Sequence, residues 1–388
     1  MYLADVDPQN FVDSEFGGPG SVRGPANYAF TAYFPKSLPR TLSLDPETTV
    51  ALSDADRAIG RLAGSGRLLK NPLLLADLYV RREALASTRI EGTQATLDDV
   101  LEAETGGTVG ADVQEVLNYV NALHAGIEAI NTGSALDLDL INALHRIVLT
   151  GVRGEDKRPG EIRQRPNWIG SNDPATARFV PPPHTELPAG LADWVAFGAE
   201  DVVMPPLIRC ALLHYQFETL HPYLDGNGRL GRLLIVLFLM KNGHLPAPLL
   251  YVSTYFEHNK EEYYDTLQGV RERGDVQAWL KYFLNAVAVQ ANDAVRRSER
   301  LLDLGDDYRG RLAGSRTRAH ELVDSLLASP WITTQHVRVL LGVTSTGATN
   351  LLRQLETAGI LQPAPRVPGR SSRWIAHEVM TAIREDGV

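Results

Sequence analysis

The chain has one cysteine, Cys210, in 388 residues. A single thiol excludes a disulfide framework and a thiolate zinc set. Its place inside an apolar helical run makes it a small buried hydrophobe. Long hydrophobic stretches are also missing. The longest, Leu233–Met240, falls far short of the roughly 20 apolar residues a membrane helix needs. The opening residues, MYLADVDPQNF, lack the basic and apolar blocks of a secretory signal. A soluble, cytoplasmic protein with no membrane partner is therefore expected. Basic charge is scarce: a net charge of −9 argues against wholesale coating of nucleic acid and leaves room only for a local basic patch. There are no internal repeats and no low-complexity tracts. The length and ordinary hydrophobic content predict two or three globular domains.

Two phosphate-binding signatures are absent or misleading. No G-x-x-x-x-G-K-[ST] occurs. Gly226–Gly231 formally reads G-x-G-x-x-G, but a dinucleotide fold needs a strand before it and an acid about twenty residues later. Here a helical pattern precedes it, and residues 246–255 carry no acid.

What the chain does have is His221–Arg232, HPYLDGNGRLGR. Ahead of it, PLIRCALLHYQFETL places Ile208, Ala211, Leu212 and Tyr215 at helical spacing. Behind it, LLIVLFLM is apolar on every side, as a core helix is. The polar cluster is thus a short loop clamped between two core helices, a scaffold that holds catalytic groups in place. Gly226 and Gly228 let backbone N–H groups approach an anion at a helix N-terminus. Arg229 and Arg232, three apart, share a helix face and offer forked donors. Asp225 is the single carboxylate that a magnesium ion shared with phosphate oxygens takes. His221 is the local group able to accept a proton near pH 7, its backbone steadied by Pro222 and Tyr223. Together these make a kit for transferring a phosphate-containing group.

Taken in order, residues 1–44 are punctuated by glycine and proline and predicted to be irregular, with Phe11, Phe16, Tyr28, Phe30 and Phe34 available to pack. A helix is expected over 45–62. A second starts at Asn71 and Pro72 and stops at Gly92. Thr96 and Asp99 then form a capping box. Glu91, in the last turn of its helix, sits where the dipole disfavours a carboxylate by roughly 0.3–1 kcal/mol. It is either a solvated surface charge or one compensated by a distant arginine. Helices follow over 111–131, 137–150 and 186–199. Between the last two, Ile162–Ile169 and Ala177–Val180 are predicted to form a short hairpin. A long helix ends near residue 304. Beyond 310, helices over 316–328, 334–341 and 345–357 and a two-stranded segment follow in winged-helix order. Arg311, Arg316, Arg318, Arg338, Arg353, Arg366, Arg370 and Arg373 outnumber the acids there, which suits a phosphate backbone, although such a module serves protein contacts equally well.

The loop resembles the signature of the Fic (filamentation induced by cAMP) family, H-P-F-x-[DE]-G-N-G-R-x-x-R, departing only at Tyr223. The resemblance implies a mainly α fold: an N-terminal region over 1–110 with an inhibitory helix over 71–92, a helical Fic core over 111–304 with a β-hairpin flap over 162–180, and a winged-helix domain over 310–388. It also implies Mg²⁺-dependent transfer of AMP from ATP to a Ser, Thr or Tyr hydroxyl of a target protein or of the chain itself. His221 would be the base and Asp225 the magnesium ligand. Asn227, with the Gly226 and Gly228 amides, would cradle the α- and β-phosphates, and Arg229 and Arg232 would hold the β/γ end. Tyr263 and Tyr264 resemble residues near the adenine, or are helical core aromatics. The target would dock along the flap edge. Ser87 to Gly92, STRIEG, fits the family's inhibitory pattern [ST]-x-x-x-E-[GN], in which Glu91 would pair with Arg232 and withhold it from the γ-phosphate. Transfer of the γ-phosphate, removal of AMP from a target, and a DNA-binding regulator that senses ATP through the Fic site are the alternatives. A homodimer stays open.

Overall fold

The computed structural model describes residues 10–23, 29–68, 72–104, 109–171, 177–313, 317–364 and 372–384. They are mostly helical and divide into two compact units. The first comprises residues up to Gly60, Arg81–Pro246 and Leu250–Gln290; the second comprises Arg61–Val80, Ala247–Leu249 and the chain from Ala291 on.

The first unit opens with an antiparallel pair, β1 (Gly17–Arg23) and β2 (Ala29–Pro35), in register from Gly17↔Pro35 to Arg23↔Ala29. This corrects the expectation of irregular chain before residue 44. The glycines there permit close packing instead of breaking the strand. A Cβ on Gly20 would lie 2.3 Å from the Phe34 ring, and Gly17 has φ +151° with the Tyr33 ring 2.7 Å from where its Cβ would be. Phe11, Phe16, Phe30 and Tyr33 are buried as a result. Tyr28 lies outside the described residues.

The helices are α1 (Pro46–Leu68), α2 (Pro72–Ile90), α3 (Leu97–Glu104), α4 (Ala111–Asn131), α5 (Leu138–Leu149), α6 (Leu187–Ala199), α7 (Pro206–Leu220), α8 (Asn227–Lys241), α9 (Ser253–His258), α10 (Lys260–Arg273) and α11 (Val276–Arg311). The capping box forms as expected: the Asp99 amide donates to Thr96 Oγ1 at 3.2 Å and the Thr96 amide to Asp99 Oδ2 at 2.9 Å. The last helix runs past the expected end near 304, since Leu301, Tyr308 and Leu312 keep an apolar stripe going. Its second half belongs to the second unit.

Helix α8 is the core. Every residue from Arg229 to Met240 is buried, and α4, α5 and α7 pack on it. The approach of α4 is close because Gly126 faces Leu237. Helix α7 is buried almost throughout, Cys210 included. Its carbonyls at Ala211 and Leu213 accept the indole N–H groups of Trp279 and Trp194 at 3.0 and 2.8 Å.

The expected hairpin over 162–180 is reduced to one antiparallel bridge, Ile169↔Phe179. Residues before it cannot join a ladder. The Arg163 amide donates to the Pro222 carbonyl, and the Trp168 amide is taken by Asn167 Oδ1. Pro166 has no amide hydrogen to offer. Phe179 and Val180 instead pack on β2 through Tyr33, Phe30 and Ala32. The SNDP turn lies outside the described residues except for Ser171.

In the second unit, a 3₁₀ turn (Arg318–Leu322) runs into α12 (Val323–Ala328), replacing the single helix expected there. Then come β3 (Trp331–Thr333), α13 (Thr334–Leu341), α14 (Ser345–Thr357), β4 (Gln362–Pro363), β5 (Arg373–Ile375) and α15 (His377–Arg384). The sheet order is β3-β5-β4, all antiparallel, with β3 an addition to the two expected strands. Several of its arginines are occupied internally. Arg311 pairs with Asp307 and Glu378, Arg318 pairs with Glu321, and Arg373 lies over the Trp331 ring. Arg316, Arg366 and Arg370 lie outside the described residues. Among the described residues no helix is long and apolar enough to cross a membrane.

A side chain at position 126 tests the packing of α4 on α8. A Cβ there would sit 2.6 Å from Leu237 Cδ1. Gly126→Val is expected to destabilise by about 1–3 kcal/mol through overpacking; the shift of the denaturant midpoint measures it, and an unchanged midpoint contradicts the close packing.

Candidate active site

Helix α7 ends where the site begins. His221 follows it in the left-handed conformation, φ 47° and ψ 61°, its amide donating to the Phe217 carbonyl at 2.9 Å. Burial, followed by the nearby Arg163 guanidinium, pushes the imidazole down to about 3, so it is neutral at pH 7 and able to accept a proton. The loop then folds onto itself. The Tyr223 amide donates to Asn227 Oδ1 and Asn227 Nδ2 donates to the Tyr223 carbonyl, both at 2.9 Å. These two bonds make the Asn227 side chain shape the loop. Gly226, with φ +77°, turns the chain into α8.

Asp225 is partly exposed. Its Oδ1 accepts from the Gly226 amide at 2.6 Å and from Arg229 at 3.3 Å. Its Oδ2 faces Gly154, where a Cβ would come within 2.9 Å, so the glycine keeps that oxygen clear. A hard oxygen donor with open space beside it fits a magnesium ion completed by phosphate oxygens. Among the described residues no cluster of three or more metal-ligating side chains exists. Arg229 is fully enclosed. It reaches Glu115 and Asp225, each at 3.3 Å, and braces the loop from below.

Arg232 is 1% exposed and is held by the end of α2. Its Nε donates to Ser87 Oγ at 2.9 Å, and one terminal nitrogen donates to the Ser87 carbonyl and to Glu91 Oε1, both at 2.8 Å. Burial works to raise the Glu91 carboxyl, but Arg232, Arg229 and Lys260 outweigh it and the net displacement is downward. The distant arginine that a carboxylate at a helix C-terminus calls for is therefore Arg232. Gly228 makes room: a Cβ there would stand 2.5 Å from Glu91 Oε1. Between His221, Arg232, Glu91 and the Ile169–Phe179 bridge remains a cavity of ≈ 100 Å³. Small-molecule sites run to about 300–1,000 Å³.

Comparison with known proteins matches residues 49–128 to the Fic/DOC family N-terminal domain and residues 135–239, the loop included, to the Fic/DOC family domain. Residues 49–128 and 135–239 thus match the two Fic/DOC family segments. It is 29% identical over 201 residues to a protein named protein adenylyltransferase fic-1 from Caenorhabditis briggsae, covering 50% of this chain and 37% of that one. It is 25% identical over 306 residues to protein adenylyltransferase Fic from Nematostella vectensis, covering 74% of this chain and 64% of that one. The chain thus spans less than two thirds of the length of these curated relatives. A crystal structure of a Fic family protein from Desulfovibrio desulfuricans G20 superimposes with a TM-score of 0.58 at 22% identity, covering 89% of this chain and 98% of that one. This likeness extends to the fold.

Around this loop, both tyrosines line the cavity, their ring centroids 5.1 Å apart. Tyr263 is a core aromatic: its ring stacks on Phe256 at 4.6 Å, and its hydroxyl meets His214 Nε2 at 2.8 Å. Since His214 Nδ1 faces the Gly231 carbonyl, an acceptor, Nδ1 carries the hydrogen and Nε2 accepts from Tyr263. Tyr264 lies at the cavity edge with the Arg178 guanidinium 5.4 Å from its ring centroid.

Several residues of the site carry no sequence signal at all. His145 Nδ1 accepts from the Gly160 amide, so Nε2 donates to the Asp225 carbonyl, and the ring stacks on Tyr223 at 3.7 Å. Glu83 accepts from the Ser253 amide and hydroxyl and from Tyr119, one turn before Ser87 on the same face of α2. Lys260 donates to the Ile90 carbonyl at the end of α2. The i, i+4, i+8 spacing of Glu83, Ser87 and Glu91 was the one readable hint.

Glu218 lines the cavity with a buried Oε1 that has no hydrogen-bond partner. Burial is the largest influence on it, and its carboxyl is pushed up from 4.5 to about 7. Between those values the folded chain holds a proton the unfolded chain releases, so this group makes stability fall as pH rises through the window. Glu218→Gln is expected to remove that fall. Thermal midpoints of both proteins from pH 4.5 to 7 test this, and curves that stay parallel contradict it.

Proposed function

We propose that the chain is a protein adenylyltransferase held in check by Glu91. The observation that carries this reading is the Arg232 guanidinium, sited at the nucleotide loop and bound through Nε and one terminal nitrogen by Ser87 and Glu91. The names of the curated relatives support the same activity. ATP is the donor and a Ser, Thr or Tyr hydroxyl of a target protein, or of the chain itself, the acceptor.

In the transfer, the neutral His221 imidazole takes the proton of the acceptor hydroxyl. The hydroxyl oxygen bonds to the α-phosphorus, the bond from that phosphorus to the bridging oxygen breaks, and pyrophosphate leaves. Gly226 and Gly228 bring backbone close to the phosphates at the N-terminus of α8. Asp225 would hold magnesium, which when bound neutralises phosphate charge. Arg229 keeps Asp225 in place. Arg232, once free, faces the charge that builds on the leaving pyrophosphate. An extended segment of the target docks beside the Ile169–Phe179 bridge through main-chain hydrogen bonds. We read the C-terminal elements as a winged helix.

Displacing Glu91 breaks a charge-assisted hydrogen bond worth roughly 1.5–3 kcal/mol, or about 10- to 150-fold in rate. Glu91→Gly is expected to raise self-labelling and target labelling from α-labelled ATP by that factor. No increase would remove the autoinhibition. His221→Ala in the Glu91→Gly background is expected to label nothing, and retained labelling would remove the histidine as base. Label transferred from γ-labelled ATP would indicate a kinase instead.

A further inference from the structure

Arg163 is an arginine 2% exposed with no carboxylate paired to it among the described residues. A buried cation without a counter-ion is costly and is held only where its hydrogen bonds are complete. Here its partners are all carbonyls. Nε donates to His221 at 2.9 Å, one terminal nitrogen to Leu220 at 3.2 Å and Pro182 at 2.6 Å, and the other to Arg165 at 3.1 Å. Its own amide donates to the Pro222 carbonyl at 2.9 Å. Three consecutive carbonyls, Leu220, His221 and Pro222, thus end on one residue. They follow directly on the C-terminus of α7, where the helix dipole favours a cation.

These are the carbonyls that flank the left-handed residue of the loop. Among the described residues only Arg158 and His221 are non-glycine residues with positive φ. A helix end of this shape normally takes glycine, and a histidine there needs outside support. The Pro182 bond also ties the same guanidinium to the chain just beyond Phe179, at the base of the flap segment.

We infer that Arg163 is a positioning residue for the transfer: it clamps His221 in the left-handed conformation that aims the imidazole into the cavity, and it fixes the flap segment relative to that imidazole. The inference rests on His221 being the base. It depends on a fork of donors, which lysine does not have. The charge acts as well. The groups around the imidazole are Arg163, Glu91 from the end of α2, Arg271 from α10 and the Glu218 carbonyl from α7, and Arg163 is the nearest cation in effect.

The test uses the full chain with Glu91→Gly. Arg163→Lys keeps a charge without the fork, and Arg163→Met removes both. A displaced base costs about 100-fold, so both variants are expected to lose kcat by that factor with KM for ATP unchanged. In Arg163→Met the acid limb of the pH–rate profile is expected to move to higher pH, because no cation then opposes the imidazolium. Arg163→Lys should keep the limb in place. Full kcat in either folded variant, a loss confined to KM, or an unmoved acid limb in Arg163→Met overturns the inference. So does loss of cooperative thermal unfolding in both variants, which would make Arg163 a support of the whole fold. His221→Ala in parallel separates the two readings: if it still labels, the base assignment falls; if it is inactive while Arg163→Lys is fully active, only the positioning role falls.

Discussion

A guanidinium removed from water must be given partners, and the placement of Arg232 organises much of the first unit. It sits in the first turns of a helix whose next residues, Leu233–Met240, are apolar and buried. Its partners come from an element more than 140 positions earlier: the hydroxyl and carbonyl of Ser87 and the carboxylate of Glu91. The Glu91 side chain is still about a third exposed, so one end of the pair remains in contact with solvent. Under the proposed function, this is the contact that nucleotide would have to displace.

The rest of the site is built to keep the loop from moving when that contact changes. Asn227 closes the loop on Tyr223, His145 holds the Asp225 carbonyl, and Arg229 is enclosed between Glu115 and Asp225. Arg163 does the same for the main chain around His221. Almost all of these groups are buried, and most are held through backbone carbonyls or amides. This gives a braced loop beside a helix end that is partly open to solvent, so under the proposed function inhibition and catalysis would meet at one side chain.

The helices were legible because their periodicity, caps and glycine stops are local properties, and the capping box at Thr96 and Asp99 formed as written. The N-terminal pair β1–β2 was not, because glycine usually marks turns. Here it marks places where rings of the partner strand press on the backbone, and that is visible only once both strands are in place. The flap fails as a hairpin for a similar reason: Arg163 and Asn167 divert the amides and carbonyls a ladder would use. Tyr263 and Tyr264 both line the cavity, and Tyr263 is in addition tied to His214 and Phe256. Those added partners come from other elements of the chain, so they are visible only in the fold.

By itself the sequence determined the chemistry available: one histidine, one carboxylate, three glycines, an amide and two arginines in a loop between apolar helices. That set is contiguous, so no folding information is needed to see it. It also flagged Glu91 as a charge in an unfavourable place. Tertiary structure alone decided which of those groups face the cavity and which brace it. Asn227 and Arg229 turned inward as supports, whereas Arg232 met Glu91. It also supplied the roles of Arg163, Glu83, His145 and Glu218, of which only Glu83 stood in a readable spacing with Ser87 and Glu91. The physical reason is that a buried polar group must find its partner wherever packing brings one, and packing joins residues without regard to their distance along the chain.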